Sequence, residues 1–185
     1  DMKKHLQSIA LLNEDNQNEK IRAYINQLMQ SSDLLEFSKI CDHKILNNIL
    51  CRYKKVCNDL HIAFHADIRS NTTTFLSDSD VTSLFCNMLD NAVEASNHIK
   101  DSYIEITAAQ RKHTPFVIIT IINSCAGNPF SPNGELVSSK QNPQAHGFGI
   151  KSMEKIIHNY NGNIQMYYDE ETSTFHTIIM LKKKQ

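Results

Sequence analysis

Apolar residues recur at spacings of three and four along the first part of the chain. Met2, Leu6 and Ile9, then Ile21, Tyr24, Ile25 and Leu28, line one face of an amphipathic helix over residues 2–29. The polar stretch Asn13–Asn18 interrupts that face, so a bend or break is expected there. A second stripe, Ile45, Ile49, Leu50, Tyr53, Val56 and Leu60, predicts another helix. A hairpin of two such helices cannot bury both stripes. A second copy of the hairpin is the simplest partner and would give a four-helix bundle; the alternative is that both helices pack on the rest of the chain.

Beyond Leu60 the pattern changes. His61–Ala66 is short and β-compatible, and residues 70–80 are rich in Ser, Asn, Thr and Asp, as a loop is. Ser77, Asp78 and Ser79 can each cap a helix. The clearest helix follows, with Val81, Leu84, Phe85, Met88, Leu89 and Ala92 on one stripe. Tyr103–Thr107 alternates like a half-exposed strand, and Phe116–Ile122 is nearly all apolar, like a strand covered on both faces. Residues 124–146 read as irregular, longer than the ~12–15 residues beyond which a loop is usually functional or disordered. A helix from about Phe148 to Tyr160 is expected to end at Gly162 in a C′ role, and strands are expected near 163–168 and 174–181.

Composition sharpens this picture at a few points. All 5 Gly and 4 Pro lie at or beyond Pro115, so irregular backbone is concentrated in the last third. The 19 Lys+Arg balance 20 Asp+Glu, which excludes a strongly basic nucleic-acid binder or an acidic disordered tail. Lys182–Lys184 then read as a solvated tail. The 5 cysteines include no CxxC pair, pointing to buried thiols in a reducing compartment rather than a disulfide framework or a zinc site. No apolar run approaches the ~20 residues of a membrane span. The chain opens on Asp1, so it is expected to be part of a longer protein, with room for a membrane segment upstream.

Three groups of residues carry candidate chemistry. On the helix at 80–97, Asn87, Asn91 and Glu94 fall in one line, about 90–150° from the apolar stripe. Mg²⁺ takes hard oxygen ligands, and neutral amide oxygens can complete its shell when a nucleotide's phosphates bring the charge; surface or capping polars are the ordinary alternative. His146-Gly-Phe-Gly-Ile-Lys-Ser152 places glycines at the opening of a helix, where backbone N–H groups can approach an anion. It is neither a P-loop nor a Rossmann fingerprint. Asn123 ends the apolar strand and is followed by Cys125 and Gly127; its amide could bond a ligand's amino edge or cap the loop.

Together and in this order, these residues resemble the GHKL ATP-binding superfamily. Asn87-Met-Leu-Asp-Asn-Ala-Val-Glu-Ala95 resembles its N box, His146-Gly-Phe-Gly-Ile150 its second glycine box, and Asn123-x-Cys125-x-Gly127 stands where a DxGxG box belongs. Asp1-Met-Lys-Lys-His-Leu6 resembles the tail of an H box reading His-Asp-x-x-Asn-His-Leu. The resemblance spans essentially the whole chain and is nearest to the Agr-type, peptide-pheromone sensor histidine kinases.

The resemblance implies an α+β chain: a two-helix dimerisation hairpin over 1–60, then a GHKL (Bergerat-type) α/β sandwich over 61–185. It implies Mg²⁺ on Asn91, with Asn87 as a second polar contact, and ATP held at Asn123, His146, Gly147, Phe148 and Gly149. Residues 124–146 would form a lid carrying Lys140 to the phosphates. Asn123 replaces the family's aspartate, and a neutral acceptor binds an amino group less strongly than a carboxylate. The phosphoacceptor histidine would lie just before Asp1, with Asp1 as its general base and His5 the second, non-accepting histidine. Lys4 stands where relatives carry a residue linked to phosphatase activity. The implied activity is an ATP-dependent protein-histidine kinase that passes phosphate to a response regulator receiver domain. It would act as a homodimer joined through the N-terminal helices, without direct nucleic-acid binding. This region would be cytoplasmic, in a parent protein held in the cell membrane by an upstream sensor region. Two alternatives remain: a GHKL ATPase, whose glutamate base would have to stand where Asn87 does, and a dimerising scaffold with a vestigial nucleotide fold.

Overall fold

The computed structural model describes residues 2–14, 17–30, 39–134, 136 and 143–183. It divides into two compact units, Asp1–Phe37 and Ser38–Gln185.

The first unit holds helices α1 (Met2–Glu14) and α2 (Asn18–Gln30), which pack on each other. The helical stretch over 2–29 is two helices, broken within the polar stretch where a bend or break is expected, and the amide of Gln17 closes back on the Leu12 carbonyl at 3.0 Å. Leu11 is 64% exposed, an apolar residue without cover in this unit.

The second unit opens with α3 (Lys44–Asp59). His43 caps it, Nδ1 accepting from the Leu46 amide at 3.4 Å. The expected boundary after residue 60 is displaced to 37/38, because α3 belongs with the sheet rather than with α1 and α2. Its buried stripe is Leu46, Leu50, Tyr53 and Cys57, in the same core as α4 (Asp78–Ser96) and β1 (Ala63–Ile68); of the expected stripe Leu50 and Tyr53 are in it, while Ile45, Ile49 and Val56 are half-buried and Leu60 is exposed. Burying side chains of this size removes on the order of 1.5–3 kcal/mol each from the cost of folding. For α3, packing on the rest of the chain wins over the bundle.

The remaining elements are β2 (Tyr103–Gln110), β3 (Phe116–Ser124), α5 (Pro143–Asn159), β4 (Asn163–Asp169) and β5 (Thr174–Lys182). The strands form one sheet in the order β1-β2-β3-β5-β4, with β1–β2 parallel and the other pairs antiparallel. Val117, Ile119 and Ile121 of β3 are buried while Phe116, Ile118, Thr120 and Ile122 are half-buried. Thus β3 alternates with period two despite its apolar sequence, and its second face is not covered as expected.

Helix α4 lies under the sheet's centre, with Val81, Leu84, Phe85, Met88, Leu89 and Ala92 all buried. Ser77 is its cap, Oγ accepting from the Asp80 amide at 3.1 Å, and Asp78 and Asp80 favour the positive end of the helix dipole. Tyr160, at the end of α5, braces this cap from across the layer by donating to Asp80 Oδ2 at 2.7 Å.

The end of α5 differs from expectation. Asn161, not Gly162, takes the left-handed conformation, at φ 47. The Asn161 amide bonds the His158 carbonyl at 3.0 Å and the Gly162 amide bonds the Ile157 carbonyl at 2.9 Å, the paired bonds of a Schellman end. Gly162 is required for a different reason. A Cβ there would lie 2.4 Å from the Met180 carbonyl oxygen on β5.

Candidate functional site

The candidate residues come from three elements, the outer face of α4, the start of α5 and the end of β3. On α4, Asn87 is half-buried and Asn91, one turn on, is exposed. Asn87 Nδ2 donates to the Ser83 carbonyl at 2.7 Å, which turns Oδ1 away from its own helix. That oxygen faces Gly149, where an added Cβ would lie 3.1 Å from it. The N-box candidate and the glycine-box candidate, far apart in sequence, therefore meet. One turn along each helix the approach is reinforced by a hydroxyl pair, Ser83 Oγ and Ser152 Oγ, 3.1 Å apart.

The rotation of α4 that presents these asparagines is held from its other side. Tyr53 of α3 donates to Asp90 Oδ1 at 2.6 Å and reaches the Cys86 carbonyl at 3.4 Å. Burial and then the Asp90 carboxylate push the Tyr53 hydroxyl well above the usual tyrosine range, so it stays a donor. Asp90 sits between Asn87 and Asn91 in sequence and points away from them to α3, which anchors the helix.

The glycine box lies differently from its expected position. Helix α5 begins at Pro143, a residue suited to the first helical position, so His146 and Gly147, expected ahead of the helix, fall inside it together with Phe148 and Gly149. The helix's unpaired N-terminal N–H groups are accordingly those before Gly147. Gly149 then acts through close approach to Asn87 rather than through an unusual backbone conformation. Lys140 and Asp1 lie outside the described residues.

At the end of β3, Asn123 is buried on the helix-covered face, in line with Ile119 and Ile121. It pairs with Ile104 of β2 and Phe175 of β5. Its Nδ2 donates to the Ser124 carbonyl at 2.9 Å, and Ser96, on the last turn of α4, donates to the same carbonyl at 3.1 Å. Phe130, from the segment after β3, packs on Phe175 with ring centroids 5.8 Å apart, and a single bridge to Leu136 folds that segment back on itself. Gly127 has open space around its Cα, so its identity is not demanded by packing.

These residues fit a magnesium nucleotide in one specific sense. Among the described residues no three His, Cys, Asp or Glu side chains converge as a metal site. A magnesium ion would therefore have to share neutral amide oxygens, such as Asn87 Oδ1 and that of Asn91, with anionic oxygens brought by its ligand. The cradle that a Cβ at Gly149 would fill lies beside Asn87. Sequence reasoning did not single out Ser83, Ser96, Ser124, Ser152 or Tyr53 as site residues. Only Ser83, four residues before Asn87, carried a signal that spacing could have revealed.

A helix layer on a mixed sheet, with Asn87 facing a glycine of the next helix, defines a two-layer α/β class. The GHKL domain profile matches residues 76–181, and the chain belongs to this family. Solved structures agree on the fold. The chain is similar to the catalytic domain of histidine kinase ThkA, at 18% identity and TM-score 0.58, covering 80% of this chain and 97% of that one. It is also similar to the mycobacterial sensor histidine kinase MprB, at 16% identity and TM-score 0.58, covering 76% and 95%. A third is the Acinetobacter baumannii histidine kinase AdeS, at 15% identity and TM-score 0.54, covering 99% and 93%. No curated protein matches the chain.

Proposed function

We propose that this chain is the catalytic region of a two-component sensor histidine kinase that binds Mg-ATP and transfers its γ-phosphate to a histidine and thence to a response regulator. The observation that carries the reading is the meeting of Asn87 Oδ1 with Gly149, where an added Cβ would lie 3.1 Å away. Such a junction leaves phosphate oxygens room beside amide ligands. Asn91 and Asn87 would share the magnesium ion, Asn123 would accept from the base's amino group, and His146, Gly147, Phe148 and Gly149 would border the phosphates. Lys140 would approach them from the lid. The bound magnesium would neutralise phosphate charge, and the chain's part is positioning.

The acceptor is placed by the H-box resemblance just before Asp1, with Asp1 as general base. The unit of α1 and α2, with Leu11 exposed, would form the homodimer. The Agr-type peptide-pheromone subgroup, a receiver-domain partner and a membrane-held parent belong to the same reading. No helix among the described residues is long and apolar enough to cross a membrane. An ATPase reading is disfavoured because Asn87 cannot take a proton from water.

Calorimetric titration with Mg-ATP tests the core of the proposal. Saturable binding is expected, and Asn91→Ala should weaken it at least about tenfold, the scale of one lost ligand contact. No binding at millimolar nucleotide would leave the scaffold reading in its place. Incubation with γ-labelled ATP tests the acceptor, and acid-labile label on His5 would overturn the H-box alignment.

A further inference from the structure

One end of the sheet gathers positive charge from three separate segments. Arg69 follows β1, Arg111 and Lys112 open the turn between β2 and β3, and Lys182 and Lys183 end β5. Backbone bonds hold these segments in place. The Lys183 amide donates to the Pro115 carbonyl at 2.8 Å, the Arg111 amide to the Phe116 carbonyl at 2.9 Å, and the Arg69 amide to the Ala108 carbonyl at 2.8 Å. The turn is closed by main-chain and Thr114 groups, the Arg111 carbonyl accepting from the Thr114 amide at 3.2 Å and its hydroxyl at 3.0 Å. It does not use the side chains of Arg111 and Lys112, which are exposed. Two carboxylates stand at this end, and both are engaged. Asp67 pairs with Arg69 at 3.0 Å, and Asp42 accepts from the Asn71 amide at 2.9 Å. Arg111, Lys112 and Lys182 pair with no carboxylate among the described residues. The whole chain has 19 Lys+Arg against 20 Asp+Glu, so a positive end leaves the remainder negative and the chain is polarised.

These cations border an apolar surface. On β3 and β5 every second side chain faces away from the helices, and there Phe116, Ile118, Ile178 and Met180 are half-buried and outside the core cluster. Phe116 pairs with Lys182 at the end of the sheet, and Ile118 with Met180 two residues on, so the apolar corner and the basic end are continuous. The far end of the same face carries Glu105 instead, paired with Ile122. A negatively charged plane is therefore attracted at the basic end and repelled at the other. A nucleic acid would neutralise the cations and leave the apolar corner in water. A bilayer interface offers anionic headgroups beside acyl chains, the same order that this corner presents. We propose that this end of the sheet docks on an anionic bilayer, with Phe116, Ile118 and Met180 entering the interface and Arg111, Lys112 and Lys182 lying among the headgroups. The contact is peripheral, and it stands independently of the nucleotide site.

The test is sedimentation of the full chain with vesicles of equal parts phosphatidylglycerol and phosphatidylcholine, and with vesicles of phosphatidylcholine alone. Binding is expected to the mixed vesicles only. It should be lost as ionic strength rises from about 0.1 M to about 1 M and the screening length falls from about 10 Å to about 3 Å. Each Lys or Arg near a charged bilayer is worth about fivefold in partitioning, so Arg111→Ala combined with Lys112→Ala should weaken binding on the order of twentyfold. Lys54→Ala combined with Lys100→Ala removes the same charge from α3 and from the loop before β2, and should change binding by less than about twofold. The chain has no Trp, so Met180→Trp supplies a single reporter whose emission should move to shorter wavelength on the mixed vesicles. If circular dichroism shows that variant unfolded, Ile118→Trp reads the same contact. Four results would each overturn the proposal: no binding to the mixed vesicles, equal binding to both kinds, equal weakening by the two double variants, or unchanged reporter emission on bound vesicles. Binding a short DNA duplex or polyglutamate as tightly as the mixed vesicles would also overturn it, assigning the basic end to a polyanion or an acidic protein instead.

Discussion

Gly162→Ala probes the junction between α5 and the sheet. Its Cβ would sit 2.4 Å from the Met180 carbonyl oxygen, 2.8 Å from Leu181 Cδ2 and 3.0 Å from Ile157 Cγ2. A carbon and a carbonyl oxygen normally approach no closer than about 3.3 Å, so roughly 1 Å of movement is needed. The leucine and isoleucine tips can turn, but the Met180 carbonyl belongs to β5, which is paired on both sides by β3 and β4. Gly162 cannot retreat either, since its own amide is bonded to Ile157 and the neighbouring Tyr160 carbonyl accepts from Lys182 at 3.0 Å. Overpacking typically costs ~1–3 kcal/mol, and a clash of backbone against a central strand belongs at the upper end, about 3 kcal/mol. For a chain of this size that corresponds to a Tm lowered by roughly 6–12 °C. Urea and thermal unfolding followed by far-ultraviolet circular dichroism would measure it. Gly127→Ala is the control, because nothing lies within 4 Å of its added Cβ, and it should leave stability unchanged or slightly raised. A Gly162→Ala variant within about 0.5 kcal/mol of the parent would refute the argument, since surface changes away from any strained feature stay in that range.

Gly149→Ala should retain the fold, because the atom it meets at 3.1 Å is the end of the Asn87 side chain, yet it should weaken Mg-ATP binding in calorimetry. Unchanged affinity would separate Gly149 from the site. Tyr53→Phe removes the hydroxyl that bonds Asp90; Asp90 is exposed and regains water, so a loss of about 1–2 kcal/mol is expected in urea unfolding. Burial pushes the Cys57 thiol up to about 11 from 9.0, so its contribution to stability is full below pH 9 and declines as pH rises toward 11. Denaturant titrations from pH 8 upward should show that fall, with Cys57→Ala flattening it; Cys41 and Cys86, whose thiols burial also raises, act in the same direction.

Much of this architecture is written in local pattern. The stripe of α4 and its Ser77 cap follow from short-range spacing, because helix periodicity and capping are properties of neighbouring residues. The start of α5 was less legible. Pro143 and Gly147 read as lying ahead of the helix, yet the first turn of a helix tolerates proline, and only the fold shows that Gly149 lies against the Asn87 side chain. The role of Gly162 was hidden for the same reason. A glycine just after a helix looks like a left-handed end, and only the proximity of β5 reveals that Asn161 takes that conformation while Gly162 makes space.

The sequence alone determined the order of elements, the identity of the helix that carries Asn87 and Asn91, and the place of Asn123 at a strand end, since each depends on residues near in the chain. Tertiary structure decided what each apolar face covers and which polar groups meet. The stripe of α3 was compatible with a dimer and with a core, and its burial against α4 and β1 assigns it to the core. Spacing offered Asn123 as an amide with two ends. In the fold its Nδ2 end is bound to the Ser124 carbonyl, which Ser96 also holds, through a network joining residues 28 apart in the chain that no local pattern could show.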